Sequence, residues 1–387
     1  MILTALALLS CLAWLHSARC TWRTLRDLPD LDDDVAAPPR WPTLSLVVPA
    51  RDEADTIEAA LRSRLDDDYP ALEVVAVDDR SEDGTGERLD ALAAGEPRLA
   101  VVHVRELPAG WLGKVHALAR GAEHASGQWL LLSDADVHVA PGTLRRAIAL
   151  AESRGLDLLA VVPRLEGATF ALQVALCGFL RGFNQSRRLW KVADPEDPAH
   201  VGVGAFNLVR RAALERTQGF AWLRMDVADD VALGLLLKRS GARCAVAHGE
   251  SRVHVVWYRD LPAMLRGLEK NTFAVLRCSF ARAAALAALA VAIELPAWFG
   301  LAAREPRWLA PVCALSLAPA LAVGVLGARR AGLSAAAALL APVGTLIQSW
   351  VLLRAGFLGW RRGGVRWRGT FYSSRELRAG RRVDALG

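Results

Sequence analysis

LSLVVPA at 44–50, LEVVAVDD at 72–79, LAVVHV at 99–104 and WLLLSDAD at 129–136 are short apolar runs, with DLLAVVP following at 157–163. Helix-like stretches at 54–65, 84–94, 114–125 and 142–153 separate them. Val/Leu runs without polar alternation suit strands buried on both faces, and intervening helices supply the crossovers that parallel strands need. The pattern predicts an open α/β domain over 43–260 with a parallel sheet at its centre.

Outward from this middle the chain becomes apolar. MILTALALLSCLAWLHSA at 1–18 carries no charge before Arg19, and at about 1.5 Å per residue it crosses most of a bilayer core. A cleaved signal peptide is the competing reading, but a basic leading region and a clear A-x-A site are missing. Residues 1–20 therefore read as an uncleaved anchor and 21–42, with DLPDLDDDVAAPPRWP, as an acidic, Pro-rich linker. Arg19, Arg23 and Arg26 follow the anchor, which places the middle domain in the cytoplasm of a bacterial-type inner or plasma membrane.

Three more apolar stretches, near 281–302, 308–328 and 333–353, fall within a membrane region at 281–358, the first broken by Glu294 and Pro296. The basic tail at 359–387 should also prefer the cytoplasm. Three full spans would leave it on the other side, so one stretch is open to a re-entrant or interfacial placement. Residues 261–280, LPAMLRGLEKNTFAVLRCSF, mix apolar and basic positions as an interfacial helix does. A packed surface helix of the domain is the alternative.

Composition narrows the function classes. With 387 residues, 53% hydrophobic, 23% charged and a net charge of +6, the chain is the reverse of a disordered one. Six cysteines, with no C-x-x-C pair, fit neither a disulfide scaffold nor a zinc site. The basic residues concentrate beside apolar stretches, so they point to a membrane and to no nucleic acid. G-x-G-x-x-G, H-E-x-x-H and G-x-S-x-G are absent, which removes the motif support for dinucleotide binding, zincin proteolysis and nucleophile-elbow hydrolysis.

In open parallel sheets ligands bind beyond the carboxyl ends of the strands. Asp134 and Asp136 close one apolar run, and carboxylates two apart at a strand end share a side, where they can hold a hard cation. An ordinary turn containing two Asp is the other reading. Asp78 and Asp79 close another run, although Asp before Ser and Gly is also common turn chemistry. Asp229 and Asp230 open an apolar helix, where favourable charge at a helix N-terminus is the plain explanation. Lys114 follows Gly113 at a helix start, a place that suits phosphate. The surrounding residues are not a Walker A loop, because Pro108 and Val115 stand where it needs Gly and Ser or Thr.

The order of these motifs is more specific than any one of them. VVPARDEADTIEAAL, VVAVDDRSEDGT, LPAGWLGKVHALARGAEHASGQWLLLSDADV and DVADDVALGLLLKRSGAR together resemble a family 2 inverting glycosyltransferase of GT-A fold over residues 43–275. The G-W-x-G-K loop and flanking apolar helices resemble the lipid-glycosylating branch, with ceramide glucosyltransferases and hopanoid-associated and carotenoid transferases as neighbours. The resemblance implies an open, Rossmann-like nucleotide-diphospho-sugar transferase domain between an N-terminal and several C-terminal membrane helices. It implies that Pro49, Arg51 and Glu53 lie against the nucleotide of a donor such as a UDP-hexose, and that Asp78 and Asp79 bind its base and ribose. Asp134 would contact ribose or sugar, Asp136 would hold Mg2+ or Mn2+ on the diphosphate with Asp134 beside it, and Lys114 would neutralise phosphate charge. Asp230 matches the general base, and Asp229 stands where Glu is common.

Processive synthases carry Q-x-x-R-W where this chain has Gly267, Lys270 and Asn271 in RGLEKNTF. Lys270 still supplies positive charge for the leaving diphosphate, but the missing Trp favours transfer of a single sugar. A lipid acceptor resists leaving the bilayer by about 0.8 kcal/mol per exposed methylene, which gives the membrane helices a purpose. A polyprenyl-phosphate sugar transferase and a non-catalytic membrane assembly subunit of the same fold are the alternatives. Trp367 to Tyr372 match a W-R-G-x-x-Y tail of the resembling families, without a known role.

Overall fold

The computed structural model describes residues 2–383; Met1 of the expected anchor and 384–387 of the expected tail lie outside the described residues. The first apolar stretch is helix α1 (Ile2–Asp27). After the linker come β1 (Leu44–Ala50), α2 (Ile57–Leu65), β2 (Leu72–Asp79), α3 (Thr85–Ala93), β3 (Leu99–Val104), α4 (Gly113–His124) and β4 (Trp129–Leu132), close to the predicted alternation. A short β5 (Val137–Val139) precedes α5 (Thr143–Ser153), β6 (Leu158–Val162) and β7 (Arg164–Leu165). Along β1 and β2 the side chains alternate between two cores. Leu46, Val48, Val74 and Ala76 join one, while Val47, Val75 and Val77 join the other. Each fully buried Val or Leu adds about 1.5–3 kcal/mol, which is why these runs contain no polar alternation.

The chain continues through α6 (Phe170–Arg187), β8 (Asn207–Arg210), α7 (Arg211–Glu215), α8 (Gly219–Leu223), α9 (Asp229–Arg239), β9 (Cys244–His248) and β10 (Val253–Val255). The main sheet has seven strands in the order β3-β2-β1-β4-β8-β6-β9. Here the expectation of a parallel sheet needs correction, because β8 runs antiparallel to both β4 and β6. The reversal brings the start of β8 to the edge where β4 ends, pairing Asn207 with Leu132. A smaller sheet, β5-β10-β7, flanks it.

The C-terminal part consists of α10 (Leu261–Val275), α11 (Phe280–Glu294), α12 (Pro296–Gly300), α13 (Leu309–Arg330), α14 (Ala335–Leu339) and α15 (Ala341–Arg362), then a hairpin of β11 (Gly364–Trp367) and β12 (Thr370–Ser373), and α16 (Ser374–Gly380). Among the described residues, four helical stretches are long and apolar enough to cross a membrane: Ile2–Asp27, Phe280–Gly300, Leu309–Arg330 and Ala341–Arg362. The last lies further along the chain than the expected 333–353. The short α14 absorbs the first part, and Pro342 sits in the opening turn of α15, where its missing N–H is tolerated.

As expected, α11 stops at Glu294 and α12 restarts at Pro296. The Glu294 carboxylate meets the Arg181 guanidinium of α6 at 2.6 Å and the Thr345 hydroxyl of α15. A carboxyl group among apolar helices needs such partners. α15 runs antiparallel to α11, with Phe280 beside Phe357 and Trp360 at one end and Glu294 beside Thr345 at the other. Both ends of α15 also touch helices outside the apolar stretches: Gly344 lies against Gly178 of α6 in the α/β body, and Arg362 pairs with Glu269 of α10. The inner face of α10 is buried through Met264, Leu268 and Phe273, with Gly359 of α15 against the Phe273 ring.

Candidate functional site

The sheet topology gathers loops from distant parts of the sequence at one edge. Lys114, in the first turn of α4, places its ammonium 2.7 Å from Asp134 and 3.4 Å from Asp229. Asp134 follows β4, and its N–H donates to the Gly204 carbonyl at 3.0 Å. The Gly204 N–H in turn donates to Asp230 Oδ2 at 3.0 Å, while Asp230 Oδ1 accepts from Val231 N–H at 2.8 Å. One glycine thus links the two acidic motifs. Lys114, Asp134, Gly204, Asn207, Asp229 and Asp230 line one cavity of about 10 Å³, room for a single water.

The electrostatics follow from this crowding. Burial alone would depress the Lys114 ammonium, but Asp134, Asp229 and Asp230 together outweigh it and hold the group above its ordinary range. Burial, assisted by Asp230 and Asp134, lifts Asp229 to about 6 against the pull of Lys114. Burial raises Asp230 as well. Lys270, on α10, faces the same cluster. Burial and then the Lys114 charge push it down to about 8, although the carboxylates act in the opposite sense.

Asp134 and Asp136 do not sit on the strand end itself. β4 stops at Leu132, and both lie in the turn leading to β5. They consequently face different neighbours. Asp134 turns to Lys114, whereas Asp136 is pushed up to about 6 by burial, then by Asp134 and Glu53, with Arg64 pulling it down. Arg64, wholly buried, donates to the Asp134 carbonyl at 2.6 Å and the Ser133 hydroxyl at 3.3 Å. Its burial lowers it to about 10. Among the described residues no three His, Cys, Asp or Glu side chains form a ready metal cage. Two or three crowded carboxylates do fit a hard divalent cation that takes its remaining ligands from phosphate oxygens and water.

On the other side, Asp78 and Asp79 end β2, both buried. Asp79 holds Arg80 through two bonds of 2.8 and 3.0 Å. Asp78 accepts from Ser81 N–H at 3.2 Å and meets His103 at 3.0 Å, and the Asp78 hydrogen bond raises the His103 imidazole. Gly113 is required at the start of α4, since a Cβ there would stand 2.5 Å from Asp79 Oδ2. The loop after β1 is tied down by Glu53 N–H to the Thr85 hydroxyl at 2.8 Å and Ala54 N–H to Asp83 at 3.0 Å. Within it, Arg51 Nε is buried and lacks a hydrogen-bond partner among the described residues, which suits an anionic ligand. Pro49 stays within β1, paired with Val77.

Several neighbours went unnoticed in the sequence. Arg64 gives no signal beyond a basic residue on a helix. Gly202 and Gly204 do, as a G-x-G just before a strand, since a Cβ at 202 would press directly on the Asp230 carbonyl. Trp367 and Arg368, singled out in the sequence only as part of the W-R-G-x-x-Y tail, arrive from the far end of the chain. The Trp367 ring lies 3.8 Å from the Lys270 ammonium and Arg368 pairs with Glu53.

An open, mostly parallel sheet with acidic loops at one edge is the fold of nucleotide-diphospho-sugar transferases of GT-A type. Residues 45–218 match the family described as Glycosyl transferase family 2, a match that, with the fold, makes the protein a glycosyltransferase. The chain is 34% identical over 117 residues to the succinoglycan biosynthesis protein ExoO of Rhizobium meliloti, covering 30% of this chain and 32% of the relative. It is 32% identical over 95 residues to the putative teichuronic acid biosynthesis glycosyltransferase TuaG of Bacillus subtilis, covering 24% and 36%. The matches span about a third of these curated relatives. In structure the chain is similar to the mannosyltransferase PcManGT of Pyrobaculum calidifontis, solved with GDP-Man and Mn2+. The TM-score is 0.55 at 23% identity, over 93% of this chain and 99% of that one, a likeness of fold.

Proposed function

We propose that the protein transfers a single sugar from a nucleotide diphosphate donor, a UDP-hexose first among candidates, to the hydroxyl of a membrane lipid with inversion. The observation that carries this reading is the convergence of Lys114, Asp134, Asp229 and Asp230 on one cavity. Arg51 and Glu53, in the loop after β1, and Asp78 and Asp79, at the end of β2, would receive the nucleotide. Asp136, with Asp134, would hold a magnesium or manganese ion, whose chemistry is to neutralise charge on the diphosphate.

The chain's own groups supply the rest. Lys114 and Lys270 place positive charge where the leaving diphosphate gathers negative charge. The acceptor oxygen bonds to the anomeric carbon as the bond from that carbon to the diphosphate oxygen breaks. The hydroxyl proton passes to the Asp230 carboxylate. Two backbone N–H groups fix that carboxylate in orientation and leave it further lone pairs. General base assistance of this kind contributes about 100-fold to 10,000-fold.

The apolar helices support a lipid acceptor. α15 is the candidate for the segment that does not cross, because its ends touch α6 of the α/β body and α10. With α1, α11–α12 and α13 as spans, the domain and the C-terminal tail share the cytoplasmic side. The test is a mass-spectrometric comparison of membrane lipids with and without the protein. A new glycolipid is expected, its mass naming sugar and acceptor; labile attachment in mild acid would assign a polyprenyl phosphate instead, and matching lipidomes would end the assignment.

A further inference from the structure

The hairpin that follows α15 occupies a telling position. β11 and β12 are joined by Arg368 and Gly369, both at positive φ, 47° and 78°, as two-residue hairpin turns prefer. The base of the hairpin is anchored, with Val365 and Tyr372 buried in the core beneath the sheet. The tip is not, since the Arg368 side chain is 44% exposed.

Adjacent tip residues reach opposite sides of the acidic cluster. Trp367 lies on the Lys270 ammonium, which is within electrostatic reach of Lys114, Asp229, Asp134 and Asp230. Arg368 pairs with Glu53 and donates to the Asp52 carbonyl at 3.5 Å, and Glu53 in turn faces Asp136. Gly369 lies beside the Arg51 guanidinium, and Tyr372 meets the backbone of Gly113 at the start of α4. The hairpin thus passes across the cleft from the nucleotide loops to the cavity.

Arg368 is an uneconomical residue for a mere turn. A side chain in the left-handed region is strained where glycine is not, and a half-exposed ion pair offsets little of that. Its guanidinium does match phosphate oxygens in a two-pronged geometry that a carboxylate also satisfies. We propose, resting on the reading of this cleft as a nucleotide-sugar site, that the hairpin is a strap over the donor. Arg368 exchanges Glu53 for the donor diphosphate, and Trp367 is a positioning residue that holds the Lys270 ammonium toward the same group.

The test is calorimetric titration of the full chain in nanodiscs with UDP and GDP, and with UMP and GMP as controls, in the presence of Mn2+. Arg368→Gly and Arg368→Asn both relieve the strained backbone while removing the guanidinium, so loss of folding is not the expected result. Affinity for whichever diphosphate the wild type binds should fall about tenfold, while the matching monophosphate is unaffected. Trp367→Ala should show the same selective loss and Trp367→Tyr should restore it. Equal losses for di- and monophosphate, or no loss, would overturn the strap. A wild type that binds neither UDP nor GDP would remove the nucleotide-sugar reading itself, and the strap with it.

Discussion

Gly204→Ala is the smallest change that tests whether the acidic motifs work as one unit. Gly204 accepts from Asp134 N–H and donates to Asp230, each at 3.0 Å. Its φ is not among the positive ones, so alanine brings no backbone strain. The added Cβ would stand 2.7 Å from Asp134 Oδ2 and 3.4 Å from Lys114 Nζ. The first contact is too short by roughly half an ångström, judged against ordinary non-bonded separations of about 3.5 Å less the smaller oxygen radius. Asp134 must therefore swing and stretch or break its bond to Lys114. A misplacement near 1 Å costs up to about 100-fold in rate, or about 2.7 kcal/mol at 1.36 kcal/mol per decade. The methyl enters a cleft and displaces no core side chain, so stability should change by less than about 0.5 kcal/mol. The assay pairs initial rates of lipid glycoside formation with thermal melting of the purified protein. A variant that melts like wild type and works ten- to a hundredfold more slowly (a loss of about that size) is expected. Wild-type rates would refute the idea that Asp134 and Lys114 must meet in this geometry.

Asp230→Asn should lower turnover by about 100-fold to 10,000-fold while donor binding persists, measured by comparing rates with nucleotide titration. Burial raises the Asp230 carboxyl above the usual carboxylate range; since the base acts only when ionised, the rate should rise with pH across that raised ionisation, and a rate that stays flat or falls as pH rises from the usual carboxylate range to neutrality would contradict it. Chelation with EDTA should abolish transfer, and added Mn2+ or Mg2+ should restore it, as followed by product formation. Glu294→Leu leaves the Arg181 guanidinium without its carboxylate among apolar helices, and by analogy with broken buried pairs should destabilise by about 3–5 kcal/mol. The double change with Arg181→Leu should recover most of that in melting experiments.

Much of the sheet was legible because strands buried on both faces read as near-continuous Val and Leu, as β1, β2 and β4 do, while the half-buried edge strand β3 carries a similar run. The reversed β8 was not, because direction leaves no mark in composition; NLVR at 207–210 reads alike both ways along a sheet. The acidic candidates were visible because carboxylates directly after apolar runs stand out. Their partners were harder to see. Lys114 was found beside a helix-starting glycine, while Arg64 looks like any helix-surface arginine and is instead wholly buried beneath Asp134. Trp367 and Arg368 lie about a hundred residues from Lys270 and three hundred from Glu53 in sequence, a separation that only tertiary structure closes. The start of α15 was misplaced because Ala and Leu continue from 335 to 341 across the α14 boundary, and hydropathy alone does not register a change of helix.

Glu269 on α10 holds both Arg354 and Arg362 of α15, and α6 holds the opposite end of that helix through the Gly178–Gly344 approach. Gripped at two points, α15 has little freedom to slide or tip against α6 and α10. Under the proposed lipid acceptor, so fixed a frame would sort acceptors by stature as well as by chemistry: a hydroxyl set too deep in the headgroup layer, or carried too far above it, would miss Asp230, the proposed base.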